Sequence, residues 1–213
     1  MQDIVIIGAG GVGKEVALLI EQINNKKLTY NLIGFIDDNS SLHGTQINGY
    51  KVLGGIEHLK TMHSPIYAVC AIANYKVKKN IINSLTSSSV HFANIIHPDV
   101  YISNTNSVGE GVIIYSGVIM TTNIKIGDHV IISPKCGIGH EALIENYVSL
   151  LWNVNVSGNV TIREGSLIGS GVTIIQNKII GKASILGAGA VVIKDIPDNC
   201  TAVGMPAKVV NWR

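Results

Sequence analysis

The sequence predicts an α/β domain with a small Rossmann-like parallel sheet over residues 1–92, followed by a parallel β-helix over 93–213. Two patterns carry this: a strand–glycine loop–helix opening, and an apolar period of six that runs to near the end of the chain. In the second half every sixth residue from Ile96 to Val192 is aliphatic, without a break. Six matches neither the 3.6 period of an α-helix nor the period of two of an ordinary strand. It is the signature of short strands wound around a triangular core. Positions two before the aliphatic residue are mostly small (Ala142, Ser166, Ser184, Ala190) or β-branched (Val112, Val130, Val160, Val172), as suits a narrow interior. Glycines directly after it, as at Gly109, Gly127, Gly139 and Gly169, relieve crowding where the chain turns.

The first ninety residues follow other periods. Asp3–Ile7 reads as a strand, Gly13–Asn25 as a helix, and Leu32–Ile36 as a second strand ending in Asp37-Asp38. Ile56–Met62 reads as a short helix, Ile66–Ile72 as a strand and Asn74–Leu85 as a lysine-faced helix. Strands alternating with helices imply a parallel sheet. The stretch His91–Pro98 is expected to lead from the last strand straight into the first coil, with no low-complexity linker.

Bulk properties narrow the function. Apolar residues make up 46% of the 213 and aromatics only 5%, which suits a core of stacked Ile and Val. A net charge of +2 and the lack of a basic run with aromatics give no footprint for nucleic acid. No apolar stretch is long enough to span a membrane, and the N-terminus has no charged leader region. Cys70, Cys136 and Cys200 form no paired motif. A reduced, soluble, cytoplasmic protein is expected.

Gly8-Ala9-Gly10-Gly11-Val12-Gly13 satisfies G-x-G-x-x-G between a strand and a helix. Such a loop turns tightly and presents backbone N–H groups and a helix N-terminus to a phosphate. Asp37 lies 24 residues beyond Gly13, at the tip of the second strand, where a carboxylate accepts from a ribose or base. An NAD site is one reading, but the domain is half the usual size. A glycine turn needed only for packing is another. A bound nucleoside diphosphate is the reading adopted.

Three strands of six make a coil of eighteen, so residues eighteen apart stack at roughly 4.8 Å, the spacing of adjacent strands. His140 and Glu141 are outward at a corner, and His140 stacks on Gly158. That pairs a general base with a backbone N–H able to hold an oxyanion, and Glu141 is placed to orient the imidazole. His97 and His129 are outward by phase but do not stack on His140, so no metal is expected. Cys136 falls on an inward position and reads as core; Ser149 and Ser157 lack the partners of a covalent catalyst.

These residues resemble one family. A GAGGVGKEV loop, a GFIDD strand end, an IHPDVYI junction, hexapeptides carrying GHE and SGNV, and a final GMPAKVV are similar to the nucleotide-sugar N-acetyltransferases of the left-handed β-helix superfamily, which act on UDP-, dTDP- or GDP-linked 4-amino sugars. The resemblance covers essentially the whole chain. It implies a left-handed helix, a homotrimer with its active site at the subunit interface, and acetyl-CoA as co-substrate in the groove between neighbouring helices. It implies that a nucleotide-linked amino sugar, destined for surface glycans, is held by Gly8, Gly10, Gly11 and Gly13 at its diphosphate and near Asp37 and Asp38 at its nucleoside. His140 matches the family's base, Glu141 its orienting carboxylate and Gly158 its thioester-oxygen donor, while Lys208 matches a residue beside the CoA nucleotide. Sialic acid O-acetyltransferases share the architecture, so sugar O-acetylation is an alternative; a non-catalytic nucleotide-sugar-binding β-helix is another. The chain departs from the family at Val12, where relatives carry histidine, and at Ser149-Leu150-Leu151-Trp152-Asn153, where a second histidine is missing. Trp152 is expected to line the acceptor pocket or the trimer seam.

Overall fold

A computed structural model describes residues 1–61, 64–86 and 89–212. The chain divides into two compact units, Met1–Pro98 and Asp99–Arg213, where the sequence placed the division at 92/93.

The first unit is a six-stranded sheet. Its elements are β1 (Gln2–Ile7), α1 (Gly11–Lys26), β2 (Tyr30–Ile36), β3 (Gln46–Ile47), β4 (Tyr50–Gly54), α2 (Ile56–Lys60), β5 (Ile66–Cys70), α3 (Tyr75–Ser84) and β6 (Val90–Phe92). The strand order is β3-β4-β2-β1-β5-β6. β1 pairs in parallel with both β2 and β5, so chain order reverses on either side of it. Ile4, Val5 and Ile6 of β1 are wholly buried, and α1 covers them with Val16, Leu19 and Ile20. Each such side chain contributes about 1.5–3 kcal/mol by leaving water.

Three details differ from the sequence reading. The hairpin β3–β4 was not expected; it turns at Asn48 and Gly49, both at positive φ. Helix α2 was expected to run to Met62, which lies outside the described residues; the helix ends at Lys60. Helix α3 is capped by the Asn74 side chain, which accepts from Val77 N–H at 3.2 Å. It is not uniformly lysine-faced: Lys78 is wholly buried, and burial lowers its pKa to about 8, with the Cys70 thiol beside it. The same burial pushes the Cys70 thiol up to about 11.

The second unit is a parallel β-helix of two-residue strands in three sheets. Gly137–Ile138 pairs with Asn155–Val156, which pairs with Thr173–Ile174, which pairs with Val191–Val192, each time in a register of eighteen. The aliphatic residues of the six-residue period are buried from Ile114 to Val192, and Ile102 and Val108 at the open N-terminal end are partly exposed. Cys136 is core, as expected; burial pushes its thiol up to about 11.

Every sixth residue from Gly111 to Gly189 adopts positive φ, including Asn123, His129, Glu141, Asn153 and Asn159. Left-handed residues at each corner turn the chain from one sheet to the next. The signal was legible as a second six-residue series rich in Asn and Gly, offset from the aliphatic one. Among the described residues no helix is long and apolar enough to cross a membrane.

Candidate active site

At the corner after Gly137–Ile138, the imidazole of His140 lies over Gly158. A Cβ built on Gly158 would fall 2.5 Å from both Cε1 and Nε2 of the ring. Nε2 is therefore within about 4 Å of the Gly158 α-carbon. The coils are drawn this close because Gly139 is also bare: a Cβ there would sit 2.6 Å from the Gly158 nitrogen. Asn159 N–H donates to the His140 carbonyl at 2.7 Å, which ties the two corners together. Gly158 N–H has no acceptor among the described residues. Both groups that the sequence paired are thus in contact.

Glu141, at φ 57°, swings its carboxylate back onto His140, where Oε2 meets Nδ1. A carboxylate on Nδ1 selects the tautomer that leaves the Nε2 lone pair outward, over Gly158. The two side chains are 62% and 54% exposed, so the pair is open on its outer side.

The other histidines behave differently. His129 was expected to be outward; it is buried, because Gly111 leaves room beneath it and Tyr147, one coil on, stacks against its ring at 5.4 Å. No group of three or more His, Cys, Asp or Glu suited to a metal occurs among the described residues. Trp152 is half exposed but follows Ser149–Leu150, in a different sheet from Gly137–Ile138. It occupies another corner of the triangle and does not stand beside His140 of its own chain. Ser149 is buried with its hydroxyl unpartnered. Lys208 is exposed and opens the last strand, Lys208–Trp212, just after the Gly204–Ala207 turn.

In the first unit, the glycines of the loop divide into two kinds. A Cβ on Gly13 would fall 2.0 Å from the Gly8 carbonyl oxygen, and Gly8 itself has φ 101° with Ile72 only 3.0 Å from its Cβ position. Those two are required for α1 to lie against β1. Gly10 and Gly11 face open space, with nothing within 4 Å of a Cβ. Helix α1 has no side-chain cap and no acidic residue in its first turn, so its N-terminal N–H groups are open to an anion.

Beside this loop is a cavity of about 180 Å³, lined by Gly8, Asp37, Asp38, Ile56, Ile72 and Val77. It lies at the carboxyl ends of β1 and β2, where nucleotide sites of open α/β sheets form. Asp37 accepts from Ala9 N–H at 2.8 Å and from Asn39 N–H at 2.9 Å, so it also holds the glycine loop. Asp38 accepts from Ile56 N–H at 2.8 Å at the start of α2. The sequence reading assigned both aspartates to a ligand and missed these structural duties.

Residues 3–85 match the family model of the PglD N-terminal domain. Over 210 residues the chain is 32% identical to the GDP-perosamine N-acetyltransferase of Escherichia coli O157:H7, covering 95% of this chain and 94% of that one. This chain belongs to the nucleotide-sugar N-acetyltransferases of the left-handed β-helix superfamily. The fold class, the family and the acyltransferase activity expected from the sequence are borne out. The acetyltransferase domain of PglB from Neisseria gonorrhoeae superposes with a TM-score of 0.89 at 29% identity, covering 99% of this chain and 100% of that domain. A His-to-Asn mutant of the perosamine N-acetyltransferase from Caulobacter crescentus, in complex with CoA and GDP-perosamine, also gives 0.89, at 26% identity over 99% of this chain and 98% of that one.

Proposed function

We propose that this protein moves the acetyl group of acetyl-CoA to the 4-amino group of a nucleotide-linked deoxyamino sugar, working as a cytoplasmic homotrimer. The seating of His140 on Gly158 is the observation that carries the reading. His140 Nε2 takes the proton from the amine as its nitrogen attacks the thioester carbonyl. Gly158 N–H holds the oxyanion of the tetrahedral intermediate. The C–S bond then breaks as the C–N bond is retained, and the imidazolium returns its proton to the departing thiolate of CoA. Glu141 keeps the imidazole in the required tautomer and stabilises the imidazolium. No group on the enzyme is acylated.

Gly10, Gly11 and the open first turn of α1 hold the diphosphate, while the cavity at Asp37 and Asp38 takes the nucleoside. GDP is the favoured nucleotide, because the Escherichia coli and Caulobacter crescentus relatives are named for GDP-perosamine. The exposed outer side of His140 and Glu141 supports a site completed by a neighbouring subunit.

The test is thiol release from acetyl-CoA against UDP-, dTDP- and GDP-linked 4-amino sugars, with a sialic acid alongside. Turnover is expected with a GDP-linked amino sugar, at a rate that falls at least a hundredfold in His140→Ala. Turnover with the free sugar alone would replace N-acetylation by O-acetylation. Retention of most activity by His140→Ala would remove the base from the mechanism.

A further inference from the structure

Helix α3 turns a mixed face to its sheet. Lys78, Ile82 and Leu85 follow one another at helical spacing and all three are buried, Lys78 completely. An ammonium taken wholly out of water is costly, and groups perturbed in this way gather where their charge has a use. The surroundings of Lys78 say what that use is. Val77 and Ile81, on the same helix, line the cavity beside the glycine loop. Side chains of a helix lean toward its N-terminus, so the Lys78 stem runs toward the end capped by Asn74, which follows the carboxyl end of β5. Ile72, just beyond β5, lines the cavity and stands 3.0 Å from the Cβ position of Gly8. Cys70 closes β5 and pairs in register with Ile7, another cavity residue. The Cys70 thiol and the Lys78 ammonium act on one another's ionisation, which sets them close together. Lys78 therefore lies behind the wall formed by Ile7, Ile72, Val77 and Ile81.

The titratable groups around it are few. Strand β5 brings Cys70, whose thiol burial pushes up to about 11, so it stays protonated near neutral pH. Tyr67 of β5 packs against the exposed His91 of β6. Strand β1 brings the apolar Ile4, Val5, Ile6 and Ile7. On α3 itself Lys79 lies over the Tyr75 ring. Asp37 and Asp38, which also line the cavity, accept from the backbone N–H groups of Ala9, Asn39 and Ile56.

We propose that Lys78 is the buried counter-charge of the nucleoside diphosphate, and that nucleotide binding draws a proton onto it. This rests on the diphosphate site at the glycine loop put forward above. The loop and the first turn of α1 offer dipoles, whereas the ligand carries full negative charges. Across an apolar wall a positive charge acts over several ångströms, because a low dielectric screens it little. An anion in the cavity favours the ammonium over the neutral amine, and by reciprocity the ammonium favours the anion. Burial holds the pKa of Lys78 in the free protein at about 8. Affinity is therefore full below that pH and declines above it.

Calorimetry with GDP, UDP and dTDP on the full-length protein, in buffers of low and high ionisation enthalpy, reads affinity and proton uptake together. For the nucleotide that binds, the wild-type Kd is expected to rise about fourfold from pH 7 to 8.5. Uptake should be roughly three-quarters of a proton at pH 8.5 and close to none at pH 7. Lys78→Arg carries a charge that does not titrate, so its Kd should hold steady over that range without this uptake. Lys78→Met serves where arginine does not fit the site, and is expected to bind at least about tenfold more weakly at pH 7. A lysine that only supports the fold would alter stability but not the protons exchanged on binding. Equal pH dependence and uptake in wild type and Lys78→Arg, or undiminished binding by Lys78→Met, would overturn the proposal and leave the diphosphate site in place. Failure of the wild-type protein to bind any of the three nucleotides would overturn both.

Discussion

The imidazole of His140 rests on the bare α-carbon of Gly158, with two ring atoms 2.5 Å from where a side chain at that glycine would begin. The proposed base and the proposed oxyanion donor are thereby set side by side by the pitch of the β-helix, which holds neighbouring coils one strand spacing apart.

Replacing Gly158 by alanine forces the ring away, since the ring is the movable partner. In Gly158→Ala we expect the fold and nucleotide binding to persist and kcat to fall about a hundredfold, within the range lost when a general base is displaced. Steady-state kinetics beside a thermal melt checks this; near-normal kcat would sink it.

Glu141 carries a left-handed backbone that asparagine adopts more readily, and Asn123 and Asn159 hold the same position in the coils on either side. Glu141→Asn should therefore leave stability equal or raise it by up to roughly 1 kcal/mol, while kcat drops at least tenfold because Nδ1 loses its carboxylate. Urea unfolding and turnover on the same preparation measure both. A variant that keeps full activity would show that the carboxylate does not matter.

Two glycines of the first loop should respond in opposite ways. Gly13→Ala drives a methyl group into the Gly8 carbonyl and should leave the N-terminal unit unfolded or insoluble. Gly10→Ala meets nothing within 4 Å among the described residues and should fold normally, yet bind the nucleoside diphosphate several-fold more weakly if the methyl group enters the space proposed for the diphosphate. Calorimetry with GDP distinguishes them, and unaltered GDP affinity in Gly10→Ala would move the diphosphate elsewhere.

Lys78 gives the stability a pH signature. Its folded pKa is depressed to about 8 from 10.5, so above pH 8 the folded chain releases a proton that the unfolded chain keeps. Stability from this group rises with pH through that window, by about 1.4 kcal/mol per unit at most, and is flat below it. Cys70, raised from 9.0 to about 11, acts in the opposite sense above pH 9. Comparison with Lys78→Met isolates the lysine: the unfolding free energy of wild type minus variant should climb between pH 8 and 10. A flat difference would mean that the ammonium is not held away from water.

The β-helix was legible because its period is unlike any other, and His140 over Gly158 followed from dividing the sequence into coils of eighteen. Features set by close approach were harder to read. The burial of Lys78 breaks the expectation for a lysine-rich helix, and only the packed α3 reveals it. The β3–β4 hairpin was missed although Asn48-Gly49 is a strong turn signal. Trp152 was expected at the acceptor pocket or the trimer seam on its outward phase; the sheet it follows puts it at a different corner from His140 of its own chain, a placement that the phase by itself does not give. The bonds from Asp37 and Asp38 to Ala9, Asn39 and Ile56 join residues distant in sequence, and no local pattern announces them.

The constant register has a consequence for how this chain can change length. A whole extra coil added beyond Lys194, or removed before Thr105, leaves the imidazole and the donor glycine neighbours. Six residues inserted between Leu143 and Val156 would instead carry Gly158 a third of a turn around the triangle, and the base would face some other backbone. The interval from His140 to Gly158 is thus a stretch whose length the proposed chemistry forbids to drift.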